Sequence, residues 1–530
     1  MRKSVVIAAA GAAALFVSSQ VPIVAQGDTD QQLGNVHFET SCNDVAQRRF
    51  DRAMRYQHSF WYDAARDIFL EAAKADAECG MAYWGVALTY LENPHNAIPA
   101  PNIPLGLAAI QKAKATGAKT ERERDYIDAL TFMYADADKL THVQRIGAYL
   151  KAMEKLATKY PTDDEAQIAY AITLNTSASP ADKTYAQQLK GAAILEPIWK
   201  RQPQHPGIAH YLIHLYDYPA IANKGLAAAR LYSKIAPGAP HAQHMPSHIF
   251  TRVGDWKESI SSNIASVKAA RAEKEFGSAF HGQDYMVYAY LQLADDKDAH
   301  AVLDEMNALP AADANAFGTH FALAASPARY MIERGDWAGA AQLQVHPSIF
   351  PHTMAITHFA RALGATRSGN PDAAKADIAK LVELRDKLRE AKNGYWAQQV
   401  DIQWQIAGAW LLNAEGKADE ARKAMSAAAD AEDKTDKSPV TPGPLAPARE
   451  LYGEMLLEHG MAKEALAAFD ATKAKEPNRF RSFAGAAKAA EKLDDRATAK
   501  ANYEKLVAMT GAAPSDRPDV KAAHKFLGKS

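Results

Sequence analysis

The chain reads as an all-α solenoid, a superhelix of stacked helical hairpins. Three observations predict this. Helical periodicity with small residues at fixed places runs through almost all of its 530 residues, while strand-like alternation is nearly absent. Pairs of residues recur at an interval of 34 positions, the mark of a repeat architecture. The hydrophobic share of 48% and charged share of 23% are too apolar for a disordered chain and ordinary for a folded one.

The repeat shows in particular residues. In the first hairpin Ala53, Tyr56, Ala65, Phe69 and Ala72 fall at the spacing of two packed helices, and Ala87 and Tyr90 follow Ala53 and Tyr56 by 34 positions. Ala465 and Phe469 recur as Ala499 and Tyr503; Pro203, Pro206, His210 and His214 recur as Pro237, Pro240, His244 and His248. Small residues let paired helices approach, aromatics fill the space beside them, and proline stops a helix and starts a turn. One hairpin cannot bury its apolar face alone, so neighbours stack. Turns are marked at Gly254-Asp255-Trp256, Gly335-Asp336-Trp337, Gly369-Asn370-Pro371 and Glu415-Gly416-Lys417. Roughly nine or ten hairpins are expected on this basis.

A period of 34 with this pattern resembles the tetratricopeptide repeat (TPR). Several stretches are also similar to a group of exported bacterial TPR proteins: Ser59-Phe60-Trp61-Tyr62-Asp63-Ala64-Ala65, Ala82-Tyr83-Trp84-Gly85, His244-Met245-Pro246-Ser247-His248-Ile249, and Lys475-Glu476-Pro477-Asn478-Arg479-Phe480-Arg481. The resemblance covers nearly the whole chain after its first residues. It implies fold and export, and no activity.

Four segments are expected. Residues 1–25 read as a signal peptide: Arg2 and Lys3 precede an apolar run from Val5 to Val17, with Ile23-Val24-Ala25 as the cleavage site. An uncleaved N-terminal anchor is the alternative. Residues 26–430 form the long TPR-like array, 431–447 a proline-rich linker, and 448–530 a C-terminal TPR pair and tail. A second proline-rich loop occupies 91–101. No later segment has enough uninterrupted apolar residues to span a bilayer, so the expected location is periplasmic or secreted. There, the only two cysteines, Cys42 and Cys79, are expected to form a disulfide rather than stay as separate buried thiols.

Several functions are excluded or poorly supported. Lys plus Arg total 61 against 62 Asp plus Glu, so the chain lacks the basic surface of a general nucleic-acid binder. Two cysteines cannot build a cysteine zinc site. There is no phosphate loop and no Gly-x-Ser-x-Gly nucleophile elbow. Asp163, Asp164 and Glu165 follow Pro161 at a helix start and suit the helix dipole. Trp61, Trp84, Trp256, Trp337, Trp404 and Trp410 sit at helical spacing among alanines and read as core. The charges from Lys375 to Lys392 alternate in sign as on a solvated helix face.

The histidines carry the one sharp signal. His210 and His214 are four apart on one helix face, and His241, His244 and His248 are three and four apart, with Pro246 either kinking the helix or opening its first turn. Counted from Pro206 and Pro240, His210 and His244 are both fifth and His214 and His248 both ninth; His241 is second and Arg252 thirteenth. In TPR-like repeats these offsets face the inner groove. The next hairpin would bring His281, Asp284 and Tyr288 to the same side. First helices of neighbouring hairpins lie roughly 10 Å apart, so rings from two of them can meet.

Three readings of these residues stay open. One is a ligand groove built from His210, His214, His241, His244, His248, Arg252, His281, Asp284 and Tyr288, holding a protein, peptide or small ligand. Another is a transition-metal site of His210, His214, His244 and His248, with zinc or copper the natural ions and Asp284 the one nameable base. The third has the rings as hydrogen-bonded packing residues. The function expected is therefore a binding or scaffold protein for a protein or peptide partner, with a metal carrier or metal-dependent hydrolase as the alternative and an envelope scaffold without a small ligand as a further one.

Overall fold

The computed structural model describes residues 32–310, 316–511 and 515–528; the expected signal peptide at 1–25 lies outside them. Helices follow one another as antiparallel pairs, from Asp44–His58 with Tyr62–Ala75 to Phe480–Lys492 with Arg496–Thr510, and Pro518–Leu527 closes the stack. No strand occurs among the described residues. The chain is an all-α TPR-type solenoid.

The small residues act as the sequence predicts. Ala53, Ala65, Phe69, Ala72, Ala465, Phe469 and Ala499 are fully buried, and Tyr503 nearly so. Gly85 packs so closely on Phe69 that a Cβ there would run into the ring, and Gly485 stands in the same relation to Phe469. Helix starts are capped locally: Asn43 accepts from the Val45 and Ala46 amides, and Thr120 and Thr141 each form a capping box with a partner three residues on.

Twelve hairpins are present among the described residues, more than expected. Pairs such as Glu121–Tyr134 with His142–Lys159, and Asp164–Ser177 with Ala186–Arg201, are joined by turns without glycine. No glycine marks these turns in the sequence, and the second carries only Ser179-Pro180.

Two long-range contacts shape the array. The C-terminal hairpins fold back onto its middle. Arg479, fully buried, bonds to Glu333 at 2.7 Å, Glu450 at 2.6 Å and the Tyr288 hydroxyl at 2.9 Å. The Trp256 indole donates to the Asn478 carbonyl at 2.8 Å, and the Asn478 amide to the Gly254 carbonyl at 2.9 Å. Gly254 has φ of 71°, and a Cβ on it would meet the Pro477 carbonyl oxygen at 2.5 Å, so glycine is needed twice over.

The second contact is the segment 434–447, within the linker expected at 431–447. It crosses the side formed by the first helices of successive hairpins. Lys437 pairs with Asp217 at 3.0 Å, Thr441 accepts through its carbonyl from the Tyr285 hydroxyl at 3.1 Å, and the Gly443 and Pro444 carbonyls accept from Arg329 at 3.0 and 2.9 Å. Four of its fourteen residues are prolines without an amide donor, and apart from Lys437 the contacts named here are made through its carbonyls.

Cys42 and Cys79 are joined in a disulfide 37 positions apart in sequence, tying the N-terminal segment to the start of the second hairpin. No helix among the described residues is long and apolar enough to cross a membrane. A loop of this length closes at an entropic saving of about 4 kcal/mol in the chain-entropy account. The Cys42→Ser/Cys79→Ser variant is therefore expected to lose about 2–4 kcal/mol of stability in denaturant titration, and an unchanged midpoint would show that helix stacking alone fixes the N-terminus.

Candidate metal centre

The predicted histidines are brought together, in two sets rather than one. His210, His214 and His241 form the first triad, and His244, His248 and His281 the second; in each, one ring nitrogen per residue lies within 4.8 Å of the other two. Two histidines of each triad are four apart on one helix, and the third comes from the next hairpin. The helix Pro206–Tyr216 gives His210 and His214; the broken helix Pro240–His244 and Pro246–Val253 gives His241, His244 and His248; Phe276–Gln292 gives His281.

Pro246 kinks this broken helix without ending it. Met245 between the halves keeps helical angles of −53° and −36°, its amide bonds the His241 carbonyl at 2.9 Å, and the His248 amide bonds the Met245 carbonyl at 3.1 Å. His241, His244 and His248 thus keep helical spacing. Because His241 and His244 are three apart yet serve different triads, the triads sit side by side. The His214 and His248 rings are 6.1 Å apart, and the His241 and His244 rings 6.3 Å.

Hydrogen bonds fix which nitrogen faces the site in three of the six rings, His210, His244 and His248. His210 Nδ1 lies 2.7 Å from the His58 carbonyl oxygen, which can only accept, so Nδ1 carries the proton and Nε2 is a bare lone pair. His248 Nδ1 donates likewise to the Asp217 carboxylate at 2.9 Å. His244 Nδ1 is 2.7 Å from the Asn263 side-chain oxygen, whose amide orientation is set by its own bond to the Ser259 carbonyl at 2.8 Å. The Nε2 atoms of His244 and His248 are then both unprotonated and face each other at 3.0 Å. His214 and His241 each place Nε2 3.1 Å from that of His210. The facing lone pairs of His244 and His248 repel at their 3.0 Å separation unless a cation lies between them.

A proton is disfavoured there. Burial pushes His210 and His281 down to about 3, and His214, His241 and His244 also fall well below the ordinary imidazole value, first through burial and then through the neighbouring rings. A metal ion resolves the repulsion: neutral imidazoles with pinned Nδ1 protons are the ligand set used by zinc and copper.

Groups not anticipated from the sequence complete the surroundings. Phe60, from the turn after the first helix, has its ring 4.3 Å from His210 and 5.1 Å from His241, and reaches there through a left-handed backbone with φ of 58°. A bulky residue in that region stores strain, of order 1–3 kcal/mol, at a place where the surrounding structure holds it. Tyr232 stacks on the other side of His210 at 5.0 Å. His95, from the 91–101 loop, lies 4.3 Å from the His214 ring, and its Nε2 is buried without a hydrogen-bond partner. Asp217 receives His248, Arg252 at 2.8 Å and Lys437. Burial alone would raise its carboxyl, but Lys437, Arg252 and His248 reverse this and hold it well below the carboxylate range. Burial brings Lys437 down to about 8, against the opposing pull of Asp217.

The remaining predicted site residues lie elsewhere or are already engaged. Arg252 is buried and paired with Asp217, so it is not free in a groove. Asp284 accepts from Ser326 at 3.0 Å and faces Arg329 at 3.6 Å. Tyr288 is buried against Arg479. On Phe276–Gln292, the residue after Asp284, Tyr285, is the one that touches the site, with its ring 4.8 Å from His244. A third cluster, His58, Glu165 and His205, is buried nearby, with Glu165 accepting from His205 at 2.9 Å and His58 at 3.2 Å.

No protein-family profile and no curated protein matches the chain. Among solved structures it is similar to the crystal structure of the APC/C hetero-tetramer Cut9-Hcn1, at 12% identity and TM-score 0.36 over 92% of this chain and 77% of that one. It is also similar to the structure of Naa15/Naa10 bound to HypK-THB, at 14% identity and TM-score 0.25 over 88% and 70%.

The buried rings set a pH dependence. With folded values near 3 for His210 and His281, against an ordinary 6.5, the native state binds fewer protons than the unfolded chain in that window. Their contribution is full above pH 6.5 and is lost as the pH falls toward 3, at up to about 1.4 kcal/mol per pH unit for each ring. Metal-free protein should therefore show a falling Tm between pH 7 and pH 5, and a shallower fall in His210→Phe; a Tm flat across that range would mean the rings are solvated.

Proposed function

We propose that the protein binds transition-metal ions at two three-histidine sites, one on each triad, with copper and zinc as the ions the ligands suit. The observation that carries this is the pair of bare Nε2 atoms of His244 and His248 facing each other at 3.0 Å, each with its Nδ1 committed to another partner. Packing histidines would turn a donor toward an acceptor; these turn acceptor toward acceptor. We further propose that the chain works after export, in the oxidising compartment where a disulfide such as Cys42–Cys79 persists. That setting accords with the exported TPR proteins its motifs resemble.

A scaffold role for a protein or peptide partner is the second reading. It is supported by an open groove near the C-terminus lined by Arg334, Trp337, Arg367, Glu458, Lys488 and Lys525, away from the histidines. Charge reversal at Lys488 and Lys525 would weaken such a partner and leave metal content unchanged.

The test of the metal reading is elemental analysis of tag-free protein purified from its native compartment. Two equivalents of copper or zinc are expected in the wild type, and one in His214→Ala or in His248→Ala. A wild type that neither carries metal nor retains added copper or zinc after desalting would exclude it.

A further inference from the structure

Resting on the metal reading, we propose that the two triads form one dinuclear copper centre that takes up dioxygen as a bridging peroxide. Adjacency is the first ground. His241 and His244 stand on one short helix and serve different ions, and the rings of His214 and His248 are 6.1 Å apart across the boundary. With rings of the two triads 6.1 and 6.3 Å apart across the boundary, the two ions would stand close enough for one small ligand to bridge them.

Charge is the second ground. All six ligands are neutral imidazoles; four of them, His210, His214, His244 and His248, are at most 5% exposed. The one carboxylate bonded to a ligand ring, Asp217, already faces two cations, Arg252 and Lys437. Among the described residues no other carboxylate is bonded to a ligand ring, and uncompensated charge in a buried site is costly. The site therefore favours two monovalent copper ions, or two divalent ions with an anion between them.

Dioxygen converts the first state to the second without changing the total charge. Each Cu(I) gives one electron and becomes Cu(II). The oxygen molecule takes both, its O–O bond order falls from two to one, and two copper–oxygen bonds form. No proton is required.

Access is the third ground. A pocket of about 580 Å³ reaches His214 and His95 between the 91–101 loop, Asp217 and the 434–447 segment. His95 Nε2, buried with no partner, is a polar atom at the centre's edge that the protein itself leaves unused.

The experiment is anaerobic loading of the whole protein with two equivalents of Cu(I), followed by measured addition of dioxygen. One oxygen molecule consumed per two coppers, a new charge-transfer band, and an oxidised form with its Cu(II) paramagnetic resonance signal almost wholly lost through coupling would support the proposal. In His281→Gln, which removes a partly buried ligand of the second triad, one copper should remain and the oxygen adduct should disappear. Two bound coppers that oxidise to the full signal of independent Cu(II), or that take up no oxygen, would overturn the dinuclear centre and leave metal binding intact. Retention of zinc but not copper would do the same. Failure to retain either metal would overturn both.

Discussion

Close approach of helices through alanine and glycine is the constraint on which the rest of the molecule depends. Where Gly85 meets Phe69 and Gly485 meets Phe469, the next hairpin can seat only because no side chain intervenes. Close packing of this kind, with small residues at the seams, governs how near one hairpin lies to the next. The rotation between hairpins then decides which ring from one helix meets which ring from its neighbour. The histidine triads are a product of this geometry, since each takes two ligands from one hairpin and the third from the following one.

This explains what could be read in the sequence and what could not. Hairpins announce themselves through a fixed interval and through glycine turns, and those whose turns lack glycine leave a weaker mark. The pairing of His210 with His214, and of His244 with His248, was legible because four residues make a helical turn. Their division into two sets was not, because it depends on how far consecutive hairpins are rotated. The same logic of offsets puts Asp284 and Tyr288 beside the other histidines, but the helix Phe276–Gln292 presents His281 and Tyr285 there. Phe60, His58 and His95 lie more than a hundred residues from His210 or His214, and no local period encodes their arrival. Asn263 and Asp217 were invisible for another reason: a second-layer hydrogen bond leaves no pattern in composition or spacing.

The inner side of this solenoid is partly filled by its own chain. The segment 434–447 looks like a spacer in composition, yet it is anchored at Asp217, Tyr285 and Arg329. It walls the histidine centre on one side and, through Lys437, shares the carboxylate that orients His248. The same composition that makes it a poor helix former makes it a good strap, because a proline-rich strand holds its shape without internal bonds.

Repeat arrays are commonly elastic: each unit touches only the next, so they flex along their length and peel from their ends. The contacts of Arg479 with Glu333 and Tyr288, and of Asn478 with Gly254, bridge 146 to 224 positions of sequence and change that behaviour. They turn an open spring into a buckled loop. Its C-terminal hairpins cannot fray independently of its middle, and the helix that carries His281 also carries Tyr288, which the far end of the chain grips.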